Sequence, residues 1–256
     1  MTDVSPKTVL ITGAARRIGK ALAESLAKDG WAVAVHYHGS SAEADAVVAG
    51  ILKSGGKAAA VEADLADPKA VEALMPKTVA ALGPVGCLIN NASIFERDEI
   101  GGITPQSWDS HIAINLRAPL FLSQAFAANV PSGAHGAIIN ILDERVWSLT
   151  PHFVSYTVSK AGLWTLTQTL ALALAPRIRV NGIGPGPTLP SPRQSQAQFD
   201  AQSKSMPLGR GTTPGEIADA VRYILAAPSM TGQMIALDGG QHLGRGQVRA
   251  DAAPED

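Results

Sequence analysis

Short apolar segments of strand length alternate with helix-forming segments along this chain, and the first pair is joined by a glycine-containing turn. The apolar segment KTVLIT at 7–12 runs directly into GAARRIG at 13–19 and a helical pattern over 18–28. Gly13 permits a sharp turn, and Gly19 permits the helix to approach the sheet or a ligand closely. Backbone N–H groups at the start of a helix favour a phosphate. The position of this turn between a strand and a helix therefore predicts a phosphate site.

The same alternation continues through the rest of the sequence. Further strands are predicted over 31–37, 58–62, 86–90, 137–142, 177–183 and 233–237. Further helices are predicted over 41–54, 68–81, 108–130 (interrupted at Pro119), 153–175 and 214–226. Such alternation predicts a parallel sheet covered on both faces, an α/β fold of the doubly wound Rossmann type. The 256 residues contain no internal repeat and no linker that would split them, so we expect a single domain.

Composition and charge exclude several classes of partner. The net charge of −1 offers no electrostatic reason to expect nucleic acid or an anionic membrane. The segment MTDVSPK lacks an apolar signal core, and no apolar run approaches the roughly 18 residues of a membrane span. The single cysteine, Cys87, excludes an internal disulfide and lies in an apolar run typical of the core. We expect a cytoplasmic enzyme with a small-molecule substrate.

The end of the second strand predicts the nucleotide cofactor. An acidic residue at this position would bind the ribose hydroxyls of NAD. The residues found here share the absence of a carboxylate: Tyr37, His38, Gly39 and Ser40. Arg16 and Arg17 from the neighbouring turn favour a 2′-phosphate, and hence NADPH. His36 and His38 point to one face of the strand, but no further ligand accompanies them, so we expect no metal.

Three polar or aromatic positions follow the next strands. Asp64 is a candidate for binding the adenine amino group, and its alternative role is that of an ordinary turn or cap residue. Asn90, at the start of NNAS (90–93), is expected to be architectural, because such amides commonly fix backbone loops. Phe95 is either a core residue or, beside a nicotinamide pocket, a ring on which a flat heteroaromatic substrate stacks.

The segment DERVWSLTPHFVSYTVSK at 143–160 carries the candidate chemistry. Tyr156 and Lys160 share one face of a helix, and an ammonium near a phenol lowers a pKa that is ordinarily about 10. Asp143, at the end of the preceding strand, is placed to share or relay a proton with the tyrosine. Tyrosine and lysine at this spacing also occur by chance on surface helices. Asn115, within an apolar segment, requires backbone partners or an ordered water in a proton path.

Two further segments predict an oligomer and a lid. The helix at 153–175 is apolar nearly all round, and one sheet covers only one face, so we expect a homo-oligomer. The segment 188–212 is rich in Pro, Ser and Gln, and we expect it to be a substrate lid. We expect 244–256 to be a loosely held tail, with packing on a neighbouring subunit as the alternative.

Several motifs in order give the chain a family resemblance over nearly its whole length. They are TGAARRIG at 12–19, NNAS at 90–93, Asn115, Asp143, YTVSK at 156–160 and PGPT at 185–188. With these motifs the chain resembles the short-chain dehydrogenase/reductase family. It departs from the general pattern at Arg17, where that family has glycine, and at Asp143, where it has serine. These departures, together with HYHGS at 36–40 and NNASIF at 90–95, resemble the pteridine reductases and the bacterial dihydromonapterin reductases.

The resemblance implies roles for individual residues. Tyr156 and Asp143 would be the proton-donating pair, Lys160 would bind the nicotinamide ribose and tune the tyrosine, and Asn115 would be a fourth catalytic residue. Phe95 and the nicotinamide would lie on opposite faces of the pterin, with Ser93 and Arg17 contacting substrate and cofactor phosphates. The implied cofactor-binding residues are Gly13, Arg16, Arg17, Ile18, Gly19, Tyr37, His38, Ser40, Asp64, Leu65, Asn91, Ala92, Ser93, Lys160, Pro185, Gly186 and Thr188.

Two further expectations come from the resemblance. It suggests a tetramer. Some close relatives carry arginine where this chain has Gly39, so the 2′-phosphate would have to be held by His38, Ser40 and Arg17.

An aspartate at position 143 also constrains the substrate on physical grounds. An ionised carboxylate would repel the alkoxide that forms when a ketone is reduced. A protonated carboxyl, or one that shares the proton of Tyr156, suits a ring C=N bond whose nitrogen takes a proton as hydride reaches carbon. We therefore expect an NADPH-dependent reductase of dihydropteridines. The alternatives are a carbonyl reductase of the same fold and a non-catalytic NADP(H)-binding regulator, whose usual mark would be loss of the tyrosine or lysine.

Overall fold

The computed structural model describes residues 4–244, so the predicted tail beyond Gly244 lies outside the described residues. Seven parallel strands form one sheet in the order β3-β2-β1-β4-β5-β6-β7. They are β1 Thr8–Ile11, β2 Ala32–Tyr37, β3 Lys57–Glu62, β4 Cys87–Asn90, β5 Gly136–Ile141, β6 Ile178–Pro185 and β7 Met234–Leu237. The predicted Rossmann-type α/β fold is confirmed.

Helices cover both faces of the sheet. They are α1 Arg17–Lys28, α2 Ser41–Lys53, α3 Pro68–Leu82, α4 Pro105–Ile112, α5 Ala118–Asn129, α6 Val154–Leu174, α7 Gln196–Lys204 and α8 Pro214–Ala226. Side chains alternate across a strand, so Val9 and Ile11 of β1 join one apolar core while Leu10 joins the other. Burial on both faces explains why the strands are almost continuously apolar. Cys87 is fully buried, and burial raises the pKa of its thiol to about 12.

The strand order places the candidate site. β1 lies between β2 and β4, so the chain reverses its direction of travel across the sheet at this point. Open α/β sheets bind ligands in the crevice at the carboxyl ends of the strands next to such a reversal. The turn after β1, the segment after β4 and the loop after β5 therefore converge at one edge.

The long helix predicted over 108–130 is divided differently from our expectation. α4 begins at Pro105, and the departure from α-helical geometry is a π-helical turn at Ala113–Arg117 rather than a break at Pro119. Pro119 lies in the first turn of α5 and has no N–H to give to the carbonyl of Asn115. The wider turn accommodates that missing bond, and such turns frequently occur at functional sites.

The segment 188–212 contains more regular structure than its composition indicated. The segment 188–212, which we call the lid segment, contains α7, a helix that the composition did not predict. A capping box between Ser195 and Gln198 begins this helix.

No helix within residues 4–244 is long and apolar enough to cross a membrane.

Candidate active site

A cavity of about 670 Å³ opens at the carboxyl edge of the sheet. It is lined by every residue that the sequence assigned to the cofactor or substrate: Gly13, Arg16, Arg17, Ile18, Gly19, Tyr37, His38, Ser40, Asp64, Leu65, Asn91, Ala92, Ser93, Phe95, Asp143, Tyr156, Lys160, Pro185, Gly186 and Thr188. These residues come from seven separate parts of the chain, and only the fold brings them together. Asn115 does not line the cavity.

The glycine turn after β1 is shaped by close packing. A Cβ on Gly19 would lie 2.2 Å from the carbonyl oxygen of Gly13 and 2.6 Å from Nδ2 of Asn91, so no larger residue fits. Asn91 Nδ2 donates to the carbonyl of Thr12 at 2.8 Å. The turn is therefore held to the segment after β4, and Gly19 permits this close packing of the two backbones.

His36 fixes the same turn, a role that the sequence did not reveal. The N–H of Gly13 donates to His36 Nδ1 at 3.0 Å, so the ring proton is on Nε2, which donates to the carbonyl of Ala63 at 3.0 Å. Among residues 4–244 no cluster of three or more His, Cys, Asp or Glu could hold a metal ion. The buried imidazole is thus an architectural group that links β2 to the turn.

Acid should weaken the fold through His36. Burial lowers the pKa of its imidazole from 6.5 to about 4, so the unfolded chain takes up the proton first as the pH falls. Stability that is present above pH 6.5 should therefore be lost toward pH 4, by at most about 3 kcal/mol from this group. Urea-unfolding free energies measured at about pH 7 and about pH 4.5 should show the loss.

A substitution at His36 distinguishes its contribution to the pH dependence of the unfolding free energy from that of the other titrating groups. His36→Asn keeps an acceptor for the Gly13 N–H and should flatten the fall in unfolding free energy between the two pH values. His135→Asn, which removes an imidazole from outside the cavity, is the control and should leave the fall in place. An equal pH dependence in wild type and His36→Asn would refute this role.

Asp143, Tyr156 and Lys160 meet at the buried end of the cavity. The hydroxyl of Tyr156 donates to Asp143 Oδ2 at 2.6 Å. Asp143 Oδ1 accepts from the N–H of Arg145 at 2.9 Å, and this bond caps the short turn after β5. Lys160 Nζ donates to the carbonyl of Ile141 at 2.8 Å and lies 5.8 Å from the centre of the Tyr156 ring. The end of β5 and the first turns of α6 thus bring a carboxyl group, a phenol and an ammonium group together at one place in the cavity.

The expected lowering of the tyrosine pKa is wrong for this arrangement. Burial and the touching Asp143 carboxylate raise the pKa of Tyr156 well above its ordinary value. The ammonium of Lys160 points instead to the Ile141 carbonyl, and burial lowers the pKa of Lys160 to about 8. The phenol is therefore protonated near neutral pH, as a proton donor must be.

Aromatic rings form one wall of the cavity beside this group. Phe95 stacks on Phe153 with ring centres 4.3 Å apart and planes 6° apart, and it meets the ring of Tyr156 edgewise at 4.7 Å. Phe153 therefore covers one face of Phe95, and the guanidinium groups of Arg145 and Arg193 lie 5.3 Å and 5.4 Å from the centre of its ring. Phe153 was not identified from the sequence, because its buried position and left-handed backbone (φ 57°) depend on the tertiary structure.

A buried polar network attaches the segment carrying Phe95 to α6. Asp98 accepts from the N–H of Ser155 at 3.1 Å and from its hydroxyl, and the carbonyl of Asp98 accepts from the N–H of Phe153 at 2.8 Å. Ser155 Oγ also contacts His111 Nδ1 at 2.7 Å, and His111 Nε2 accepts from the N–H of Glu96 at 3.2 Å. A carboxylate at a helix N-terminus is electrostatically favoured. The network positions the aromatic wall relative to Tyr156.

Asn115 is a second brace for the same segment. Its Oδ1 accepts from Ser93 Oγ at 3.1 Å and from the N–H of Ile94 at 3.0 Å. Its Nδ2 donates to the carbonyl of Ile94 and to Ser159 Oγ, both at 3.0 Å. The side chain is fully buried and its partners are protein atoms, so it positions the loop after β4 against α6. A role for Asn115 in a proton path stays a prediction.

Asn90 is architectural, as the sequence indicated. Its Nδ2 donates to Asn140 Oδ1 at 2.8 Å, and Asn140 Nδ2 donates to Thr167 Oγ1 at 2.8 Å. This buried chain of hydrogen bonds ties the ends of β4 and β5 to α6.

Two arginines fasten the lid segment over the cavity. Arg17 has a left-handed backbone (φ 53°), and its guanidinium donates to the carbonyls of Pro190 at 2.9 Å and Leu189 at 3.2 Å. Arg193, within the lid, donates to Glu96 Oε2 at 2.8 Å and to the carbonyl of Phe95 at 2.7 Å. The guanidinium of Arg17, which we expected to contact the substrate and the cofactor phosphates, thus binds carbonyls of the lid segment.

The outer end of the cavity fits a phosphorylated ribose. No carboxylate follows β2, and the exposed Arg16 and His38 lie there with only loosely placed acidic neighbours. Arg16 Nη1 is 3.7 Å from Glu43, and His38 Nδ1 is 3.6 Å from Asp64. Asp64 also accepts from the N–H of Ala66 at 2.8 Å, the contact of a turn residue. Because no carboxylate at the end of β2 is available to bind ribose hydroxyls, the guanidinium of Arg16 favours the 2′-phosphate of NADPH.

Comparison with known proteins identifies relatives along nearly the whole chain. A family model described as enoyl-(acyl carrier protein) reductase matches residues 13–242. A 3-oxoacyl-[acyl-carrier-protein] reductase of Synechocystis sp. is 33% identical over 243 residues, which are 94% of this chain and 98% of the relative.

Comparison with solved structures also finds relatives along nearly the whole chain. The crystal structure of FolM alternative dihydrofolate reductase 1 from Brucella suis in complex with NADP is 47% identical, with a TM-score of 0.92 and coverage of 96% of this chain and 98% of that chain. A short-chain dehydrogenase/reductase from Serratia marcescens is 31% identical, with a TM-score of 0.86 and coverage of 94% and 99%.

Proposed function

The chain belongs to the short-chain dehydrogenase/reductase family, and we propose that within it the protein is a reductase of dihydropteridines. It is an NADPH-dependent oxidoreductase, in agreement with its NADP-bound structural relatives. The observation that carries the pteridine proposal is the hydrogen bond between Tyr156 and Asp143, 2.6 Å long, beside the ring of Phe95. It joins two proton-carrying groups where a carbonyl reductase would need only one donor.

The proposed reaction adds hydride and a proton across a ring C=N bond. NADPH, when bound, supplies the hydride to carbon. The ring nitrogen takes its proton from the Tyr156–Asp143 pair. Release from Tyr156 while Asp143 is ionised would leave two anions 2.6 Å apart, so the productive form is the one in which the pair carries a second proton. Solvent restores that proton after each turnover, and the product is the tetrahydropteridine.

The remaining residues orient the cofactor and the substrate, or compensate the negative charge of the Tyr156–Asp143 pair. Lys160, whose pKa burial lowers to about 8, retains enough charge near neutral pH to hold a ribose hydroxyl. The guanidinium of Arg145 lies 3.7 Å from Asp143 Oδ2 and lowers the cost of negative charge on the pair. Phe95 lines the cavity and offers its ring to a flat substrate, and the lid segment excludes water.

A carbonyl reductase is the second candidate, because the Synechocystis relative is a 3-oxoacyl-[acyl-carrier-protein] reductase. Against it stands Asp143, whose carboxylate would oppose the alkoxide of a reduced ketone. A non-catalytic regulator is not favoured, since Tyr156 and Lys160 are both present and meet in the cavity.

A substrate panel distinguishes the two activities. NADPH oxidation, followed by nicotinamide absorbance, is measured with dihydromonapterin, dihydrobiopterin, dihydrofolate, simple ketones and a 3-oxoacyl thioester. We expect kcat/KM for the best dihydropterin to exceed that for the best carbonyl compound by at least about tenfold, since the site is built to protonate nitrogen. A ketone or thioester that outperforms every pteridine would replace this proposal with the carbonyl reductase.

We also propose a homo-oligomer, a tetramer by family resemblance, in the cytoplasm. Val158 and Leu172 on α6 are 43% and 84% exposed in one copy of the chain, and a second subunit would cover them. Light scattering with size-exclusion chromatography gives the mass.

A further inference from the structure

An ion pair spans the rim of the cavity and has no part in the reaction proposed above. Arg193, on the lid segment, donates from Nη1 to Glu96 Oε2 at 2.8 Å. Its Nη2 donates to the carbonyl of Phe95 at 2.7 Å, and its guanidinium lies 5.4 Å from the centre of the Phe95 ring. Arg193 therefore contacts the predicted stacking residue and a carboxylate at the same time.

The two partners of this pair are held unequally. Arg193 is anchored by the Phe95 carbonyl and ring as well as by Glu96, and its side chain is 42% exposed. The side chain of Glu96 is 69% exposed. Exposed ion pairs contribute little to stability, so another carboxylate can replace Glu96 on the guanidinium without displacing Arg193.

The other arginines around the cavity have acceptors of their own. Arg17 donates to lid carbonyls, and Arg145 lies 3.7 Å from the buried Asp143. Arg97 donates to Glu99 at 2.8 Å, and Glu99 also pairs with His152 at 2.8 Å. Arg193 differs from them in lying on the lid segment, and the carboxylate that it binds, Glu96, is 69% exposed, against 47% for Glu99.

We infer that the Arg193–Glu96 pair determines which pteridine side chains the cavity accepts, favouring uncharged ones over those that carry a carboxylate. The inference rests on the proposed function. A ring that reacts at Tyr156 and stacks on Phe95 directs its substituent toward the open side of the cavity, where the lid rim lies. An arginine fork there recognises a carboxylate well. Glu96 occupies that fork and repels a second carboxylate, which is discrimination by an unfavourable contact.

The test compares a carboxylate-bearing pteridine with an uncharged one. Dissociation constants and KM values for dihydrofolate and dihydrobiopterin are measured with the full-length protein, using NADP⁺ for binding and NADPH for turnover. Glu96→Gln should lower the dissociation constant of dihydrofolate about fivefold, which is the limit for an exposed charge contact. It should leave the dissociation constant of dihydrobiopterin unchanged. The gain should shrink at high salt and disappear when Arg193→Met is added.

A matched control isolates the pair. Glu99 lies on the same segment as Glu96, and its carboxylate pairs with Arg97 and His152. Glu99→Gln should leave the ratio of the affinities for dihydrofolate and dihydrobiopterin unchanged. The inference is overturned if Glu96→Gln changes the affinities for both pteridines equally or changes neither affinity. It is also overturned if the effect of Glu96→Gln persists when Arg193→Met is added. Failure of the proposed function is distinct: the wild type would then reduce ketones and no pteridine. Wild-type protein that binds neither pteridine would overturn both.

Discussion

Tyr156→Phe will lower kcat for dihydropteridine reduction by about two to four orders of magnitude, the usual contribution of a positioned proton donor. The substitution removes the hydroxyl that donates to Asp143 and leaves the ring that packs against Phe95. Affinity for NADPH, measured by nicotinamide fluorescence, should be unchanged because the ring still fills its site. A variant that loses NADPH affinity in parallel with kcat would show that the hydroxyl shapes the site rather than supplies a proton.

Asp143→Ser will lower kcat for dihydropteridines by about a hundredfold or more, because the pair then lacks its second proton carrier. Serine retains a hydrogen-bond donor that can hold a carbonyl oxygen, so reduction of simple ketones should rise at the same time. Both rates are measured from NADPH oxidation. Pteridine turnover that survives Asp143→Ser would refute the acid role of the aspartate.

The pH profile provides a second measurement on the same residue. If the productive pair carries a second proton, kcat/KM of the wild type should fall about tenfold per pH unit above the apparent pKa of the pair. Asp143→Asn, which keeps the size of the side chain but cannot carry that proton, should lose the falling limb along with most of the activity. Near-UV circular dichroism and NADPH binding control for the fold. A limb that persists in Asp143→Asn belongs to another group.

Much of the fold follows from local patterns. Each predicted strand is present within a few residues, because strands buried on both faces are nearly continuous apolar runs. α8 was predicted over Pro214 to Ala226 and has these bounds, since Thr213 and Glu216 form a capping box around a proline in the first turn. α7 was missed because its capped start lies in a segment poor in large apolar residues and without a buried face.

Local patterns also misplaced one feature. Pro119 suggested a break at its own position, whereas the helix widens at the turn before it. The missing hydrogen bond belongs to the carbonyl four residues earlier, so the adjustment occurs on that side.

The site divides in the same way. The sequence identified Tyr156, Lys160 and Asp143, because two of them share a helix face and the third ends a strand whose carboxyl end faces the crevice. The sequence did not indicate that Phe153 covers Phe95, that His36 holds the glycine turn, or that Asp98 caps α6. These contacts join residues 23 to 58 positions apart, and side chains so distant in sequence meet only after the sheet has formed.

Residue identity and spacing alone therefore determined the alternating architecture, the glycine turn after β1 and the chemical groups available for proton transfer, since each depends on neighbours within one strand or helix. Tertiary structure decided the protonation of Tyr156. Which charge lies nearest to a buried phenol depends on distances in space, and in this fold the carboxylate of Asp143 touches the hydroxyl while the ammonium of Lys160 binds a backbone carbonyl.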